Sequence, residues 1–398
     1  MDIKRQAKDT EEYIIEQRRY FHKHPELSWE EIQTTLRIEE ELKKMGLNPI
    51  RYENLPGLYT MIEGGKAGKN AKTILLRADI DALPVVEKTG LEFASEVNGV
   101  MHACGHDCHI AMMLGTAKIL NDIKGELEGN VKIFFQAAEE TASGAPEYIK
   151  CGILDGVDAV YGAHVYGGLE VPYIDITPGP RMASADQIDI EIFGEPTHAS
   201  APHTGNDALV AANAVITALQ AYVSRMNDPL NPLVITIGTI QGGQRRNIVP
   251  GYVKMEGTVR THFVETRNEM ENRLRKIIGK TAEAYGCEAK VAYRYMMPAV
   301  RNDEQMTFIA RRAAEKLFGE EVPVQMPLVM ASEDFAHLVK DLPGIYVNIG
   351  SANKKLGYTH TNHNECYTVD ESILQRGAAL CAQVAVDYLS MKKCEEQF

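Results

Sequence analysis

The sequence predicts an α/β protein, a mostly parallel sheet with helices packed on it, interrupted by a smaller α+β unit. Three observations carry this expectation. Short apolar runs of strand length alternate with helix-period segments in the first part of the chain and again near its end. Residues with acid or imidazole side chains fall repeatedly near the carboxyl ends of those runs, the edge at which open α/β sheets bind ligands. Between the two parts the order changes to β-α-β-β-α-β, that of a ferredoxin-like unit.

Taken in order, residues 8–22 read as a helix ending before His24-Pro25. Ser28 and Glu31 have the spacing of a capping box, which predicts a second helix with Ile32, Leu36 and Leu42 on its buried face and Gly46 at its end. Thr73-Ile74-Leu75-Leu76-Arg77 is a buried strand leading into Asp79, Asp81 and Pro84. The octapeptide His102-Ala103-Cys104-Gly105-His106-Asp107-Cys108-His109 then opens a helix to about Leu120, with Ile110, Met113, Leu114 and Ala117 at helical spacing. Val131–Phe135 is a second strand, followed by Gln136-Ala137-Ala138-Glu139-Glu140, and Asp158–Gly162 is a third, ending at His164. Gly344–Ile349 repeats the pattern, with His360 and His363 downstream.

In the middle, Ile188, Ile190 and Ile192 alternate with Gln187, Asp189 and Glu191, which describes a strand with one wet face. A helix near 206–225, strands at 233–240 and 252–261, a helix near 266–285 and a strand near 289–295 complete the unit. A whole supersecondary fold between two parts of an α/β domain reads as an insertion. The expected division is 1–182, 183–295 and 296–398.

Composition narrows the partners. The chain has 398 residues, 42 basic against 55 acidic, for a net charge of −13, which argues against nucleic acid or an anionic membrane as partner. Seven cysteines, an odd number spread widely, do not suggest a disulfide framework, so a reducing cytoplasm is expected. The charged opening Met1-Asp2-Ile3-Lys4-Arg5 does not read as a signal peptide. No apolar run approaches the roughly 18 residues of a membrane span.

The octapeptide is the densest run of metal-ligand chemistry, with three of twelve histidines and two of seven cysteines. Cys104-Gly105-His106 can bring a thiolate and an imidazole to one ion, the glycine permitting a tight turn. No second Cys or His pair of zinc-finger spacing lies near, so further ligands must come from distant segments, as in catalytic metal sites. In Glu139-Glu140, one carboxylate can bind metal while the other takes a proton from an activated water and passes it to a leaving amine. Cys104, His106, Glu140, His164 and one late histidine exceed the usual four donors around one zinc ion and suit two ions sharing a bridge, either a thiolate or a water.

Arg18 through Ser28, Arg77-Ala78-Asp79-Ile80-Asp81-Ala82-Leu83-Pro84, His102 through Asp107, Phe135 through Glu140 and Ser332-Glu333-Asp334-Phe335 resemble, in order and spacing, the motifs of the M20 metallopeptidase family. The closer similarity is to its amidohydrolase branch of hippurate hydrolases, N-acetyldiaminopimelate deacetylases and auxin-conjugate hydrolases. The resemblance covers nearly the whole chain. It implies two divalent ions, zinc first with manganese or cobalt as alternatives, Cys104 bridging them and His106, Glu140, His164 and His363 completing the ligands. His363 is preferred to His360 because His363-Asn364-Glu365-Cys366-Tyr367 matches the family's late His-x-Pro-x-aromatic spacing, although Glu365 replaces the proline.

The resemblance also implies Glu139 as general base and acid and Asp79 as an acid orienting a ligand. His198, within Gly194 to His203, would be an oxyanion donor reaching a partner subunit, and Asn247 and Arg260 would hold the substrate's carboxylate. The Glu195-Pro196-Thr197 stretch departs from the family's glycine-rich version. The implied enzyme is a homodimer that hydrolyses the amide of N-acyl amino acids. A dipeptidase or carboxypeptidase on the same scaffold, a non-catalytic metal-dependent binding protein and a thiol hydrolase using Cys104 are the alternatives, and the presence of Glu139 counts against the second.

Overall fold

A computed structural model describes residues 1–391. Two compact units emerge: Met1–Gly179 with Arg301–Pro327 and the chain from His337 on, and Pro180–Val300 with Leu328–Ala336.

The first unit is built on an eight-stranded sheet. Its order is Ile50–Arg51, Leu58–Ile62, Asn130–Gln136, Thr73–Asp79, Ala159–Glu170, Gly344–Ala352, Ile174–Asp175 and Pro323–Val324. The four central strands, from Asn130–Gln136 through Gly344–Ala352, are mutually parallel. The four apolar runs read from the sequence are these four strands. One correction concerns His164, which lies inside its strand opposite Asn348 and not beyond its end. The strand runs on to Glu170 because its later residues alternate between covered and open positions, and such a wet-faced segment extends a strand as readily as an apolar one.

Helix His106–Asp122 packs against the sheet strand Thr73–Asp79 and against helices Glu11–Lys23 and Ser372–Ser390. It is buried on nearly every face, Ile110, Met113, Leu114 and Ala117 among its interior residues. The N-terminal helix expected over 8–22 is two helices, Ile3–Asp9 and Glu11–Lys23, divided at Thr10, and the second ends at His24 as expected.

The capping box does not form. The next helix runs Ile32–Lys44, Glu31 makes no side-chain cap, and the carboxylate of Glu26 instead accepts from the N–H groups of Gln33 (3.0 Å) and Thr34 (2.7 Å). Of the expected buried face only Leu42 is covered, together with Ile38, whereas Ile32 and Leu36 are 51% and 38% exposed. Leu36 and Leu42 lie six positions apart, about 120° around a helix, so they cannot share one stripe. Gly46, at φ 76°, does end the helix.

The second unit carries an antiparallel four-stranded sheet in the order Leu233–Gly242, Tyr252–Thr261, Ala185–Phe193 and Glu288–Met297, with helices Ala208–Arg225 and Val264–Ala284. Strand order 2-3-1-4 is the ferredoxin-like arrangement. Ile188, Ile190 and Ile192 are wholly buried and share one apolar cluster with Val215 and Leu219 of the first helix and Leu274 and Ile278 of the second. Among the described residues no helix is long and apolar enough to cross a membrane.

Candidate metal centre

The centre grows from the end of strand Thr73–Asp79. Arg77 and Asp79 face the same side, and burial forces them to satisfy one another: Arg77 Nη1 donates to Asp79 at 2.7 Å and Nε to Gln136 Oε1 at 3.0 Å. Two residues on, Asp81 accepts from the Ser28 hydroxyl (2.7 Å) and the Glu140 amide (2.9 Å).

The octapeptide turns at Gly105, whose φ of 95° is left-handed and whose added Cβ would lie 2.4 Å from Val165 Cγ2, so only glycine fits. Helix His106–Asp122 starts there and aims its first residues in different directions. His106 Nδ1–H donates to Asp81, at 2.9 Å to the carbonyl and 3.1 Å to Oδ1, which leaves Nε2 as the lone-pair nitrogen. Asp107 is pinned on another side by Arg18 Nε and His22 Nδ1, each at 2.8 Å. Burial works against its charge, but the Arg18 guanidinium and His22 hold the Asp107 carboxyl well below the usual carboxylate range.

Three sets of donors converge. The ligand atoms of Cys104, His106 and His164 lie within 4.8 Å of one another, and so do those of Cys104, Glu140 and His363 and those of His106, Glu139 and Glu140. Cys104 is common to the first two sets. Cys104 Sγ is 3.3 Å from His164 Nε2, Glu140 Oε1 is 3.9 Å from His106 Nε2, and His363 Nε2 is 3.5 Å from Glu140 Oε1. Donors at about 2.0–2.3 Å around a tetrahedral ion stand roughly 3.3–3.8 Å apart, so these separations fit shared cations. Among the described residues His106 Nε2 and Glu140 Oε1 are moreover buried without a hydrogen-bond partner, as expected of atoms that serve an ion. Sulfur, imidazole and carboxylate together suit a zinc-like divalent metal. His363 stands at φ 69°, its amide bonded to the Ala103 carbonyl at 2.7 Å, while His360 joins none of the donor sets among the described residues.

Protonation fits the same use. Burial and the neighbouring His109 and His106 push His164 well below the ordinary histidine value, and its Nδ1–H donates to the Val165 carbonyl at 2.7 Å, so Nε2 is free to ligate. Burial pushes the Cys104 thiol up despite His106, which makes its ionisation dependent on a cation. Burial opposes charge on both Asp79 and His106, yet each steadies the other, holding the carboxyl low and the imidazole high, so a cation ligated by His106 Nε2 has to displace the proton held there.

Two residues of this centre escaped the sequence reading as functional. Asp81 joins His106 to the Glu140 amide, and Asp-x-Asp at a strand end was its signal. His109 is held to Asp79 through Nδ1 and accepts the Val165 amide at Nε2 (2.9 Å), so both its nitrogens are spent and it ties Asp79 to the strand of His164. Cys108 is a buried helix residue outside every donor set among the described residues.

The remaining candidates belong to the second unit. His198 is exposed on a short strand paired with Ile248, its Nδ1 within 2.7 Å of the Ser200 hydroxyl. Asn247 is exposed, its carbonyl accepting from Ala199 at 3.1 Å. Arg260 Nη1 donates to the Met330 carbonyl and the Ser332 hydroxyl, each at 3.2 Å.

Comparison with known proteins agrees with this chemistry. Residues 75–387 match Peptidase family M20/M25/M40. The chain is 39% identical over 365 residues to an N-acetyl-L-cysteine deacetylase of Bacillus subtilis (strain 168), covering 92% of this chain and 85% of that one. It is 36% identical over 391 residues to thermostable carboxypeptidase 1 of Saccharolobus solfataricus, covering 97% and 98%. Among solved structures, the Bacillus subtilis YXEP protein, described as a dinuclear metal binding peptidase from the M20 family, superposes with a TM-score of 0.86 at 35% identity, covering 97% of this chain and all of that one.

Proposed function

Since the chain belongs to peptidase family M20/M25/M40 and is a hydrolase, we propose that it cleaves the amide of N-acyl amino acids to a carboxylate and an amine. The observation that carries this reading is the pair of donor sets sharing Cys104, with Glu139 grouped beside His106 and Glu140. Cys104, His106, Glu140, His164 and His363 hold two divalent ions, zinc first and manganese or cobalt as alternatives. Such ions supply Lewis acidity toward the amide carbonyl and activation of water.

The chain's own groups do the rest. Glu139 takes the proton of the attacking water and delivers it to the departing nitrogen. Asp79, held by Arg77 and His109, fixes the ligand field around His106. Arg260 and Asn247 hold the substrate's carboxylate. The partner subunit's His198 donates to the carbonyl oxygen as it gains negative charge. The residues 183–295 form the inserted dimerisation domain between the catalytic parts 1–182 and 296–398, and the edge strand Leu233–Gly242 offers unpaired backbone groups for a two-fold contact. Free thiols at Cys104, Cys108, Cys151, Cys287, Cys366 and Cys381 support action in the cytoplasm.

The second reading is a carboxypeptidase, favoured by the likeness to thermostable carboxypeptidase 1. Side-by-side turnover of N-acetyl amino acids, benzoylglycine and dipeptides separates the two. Glu139→Gln is expected to keep both ions and substrate affinity and to lose about 10²–10⁴-fold in turnover. Near-normal turnover in that variant, or at most one ion per chain after reconstitution, overturns the assignment.

A further inference from the structure

Ser28 and Glu31, spaced to cap a helix, spend their side chains elsewhere. The Ser28 hydroxyl donates to Asp81 Oδ2 at 2.7 Å, Trp29 Nε1 donates to the Ser143 hydroxyl at 3.0 Å, and Glu31 Oε1 accepts the Ala138 amide at 2.8 Å. Just before them, the Glu26 carbonyl accepts the Ala82 amide at 2.8 Å. Four residues of one short segment therefore grip two loops. One loop follows Asp79, and the other carries Glu139 and Glu140.

The second loop needs holding. Ala138 at φ 59° and Ala142 at φ 54° are both left-handed without being glycine, a conformation that persists only when the surroundings impose it. Its two outer amides are each taken by a buried carboxylate: Ala138 N–H by Glu31 and Glu140 N–H by Asp81. Glu139 is the residue between them. Glu31 itself is wholly buried, and its Oε2 has no hydrogen-bond partner among the described residues. An acid placed so is a poor way to fill a core, where an apolar side chain of similar size would cost less. Its retention calls for a use of the one bond it makes.

We propose that Glu31 is a positioning residue, whose Oε1 fixes the Ala138 amide so that the left-handed turn presents Glu139 and Glu140 to the metal centre. This rests on the roles given above to Glu139 and Glu140. Asp81 holds the turn from its other end and is joined to His106, so Glu31 and Asp81 set the spacing between the helix-borne and loop-borne donors.

The test compares Glu31→Met, which fills the space without an acceptor, with Glu31→Gln, which keeps a carbonyl oxygen for Ala138. Manganese is titrated by calorimetry into the chelator-stripped full chain, and kcat and KM are measured on N-acetyl amino acids. Glu31→Met is expected to weaken manganese binding by about 10-fold or more and to lower kcat by a similar factor with KM within about twofold. Glu31→Gln is expected to restore both to within about threefold. Unchanged metal affinity in a cooperatively melting Glu31→Met, or equal defects in Met and Gln, overturns the proposal. If Glu31→Met does not fold, Glu31→Ala is read by the same criteria. Metal affinity reports on Glu31 even where no substrate is turned over, whereas the Glu139→Gln comparison reports on the catalytic reading alone.

Discussion

Strands Thr73–Asp79 and Ala185–Phe193 each lie in the interior of their sheets, yet they use polar residues in opposite ways. Every residue of the first is buried, Arg77 and Asp79 included. The second alternates, with Ile188, Ile190 and Ile192 inward and Gln187, Asp189 and Glu191 on the more open face. A carboxylate on the wet face is solvated whichever way it points and tells nothing about function. A carboxylate at the end of a doubly covered strand must be satisfied by protein, and here its partners are Arg77 and His109, which are themselves tied to Gln136 and Val165. The cost of burial has thus been converted into a fixed geometry at the edge where the donors meet.

The sharpest way to break this contrast is Arg77→Met. It leaves Asp79 buried beside one fewer cation, and removal of one partner of a buried pair typically costs about 3–5 kcal/mol. Urea unfolding of the chelated protein should show a loss of this size. A loss under about 1 kcal/mol would mean that Asp79 is not held as an ion by Arg77.

The same contrast explains what the sequence could say. Alternation and apolar runs are local, so the four central strands of the large sheet and the order of the ferredoxin-like unit were legible from them. The cluster around Cys104 was legible because thiol, imidazole and carboxylate side chains are scarce and were dense there. Partners were not legible. Ser28 and Glu31 satisfy the capping rule by spacing alone, and spacing does not tell whether a side chain turns back to its own helix or outward to Asp81 and Ala138. His109 falls in the same octapeptide as His106, but its partners Asp79 and Val165 lie 30 and 56 residues away. The division of labour between two histidines of one helix turn is decided only when those segments assemble.

A middle-sized effect is expected from pH. Burial first, and then the negative charge of Asp81, pushes the Glu31 carboxyl up to about 8 from an ordinary value near 4.5. Below that ordinary value both folded and unfolded chains hold the proton and Glu31 is neutral to stability. Between about 4.5 and 8 the unfolded chain releases the proton and the folded one does not, so this group subtracts stability as pH rises, levelling off above 8. Glu31→Gln carries no such penalty. In the chelated protein it should match the parent near pH 4.5 and exceed it above pH 8 by an amount on the order of 5 kcal/mol. A stability difference that does not change across this range would place the Glu31 carboxyl at an ordinary value.

The smallest effect belongs to the wet-faced strand. Asp189 pairs with Arg294 at 2.8 Å, a distance as short as that of Arg18 to Asp107, but the Asp189 side chain is 27% exposed and that of Arg294 48%. Water solvates both charges in the unfolded and folded chain alike, and holding two long side chains together costs entropy, so the pair gains little. Asp189→Ala should change unfolding free energy by no more than about 1 kcal/mol, with a salt dependence that screens away what there is. Metal affinity should be untouched. The contrast drawn between the two strands predicts that equal distances carry unequal energies because their surroundings differ. A loss in Asp189→Ala as large as that in Arg77→Met would show that geometry alone sets the energy, and the inference from buried charge to a built site would fall with it.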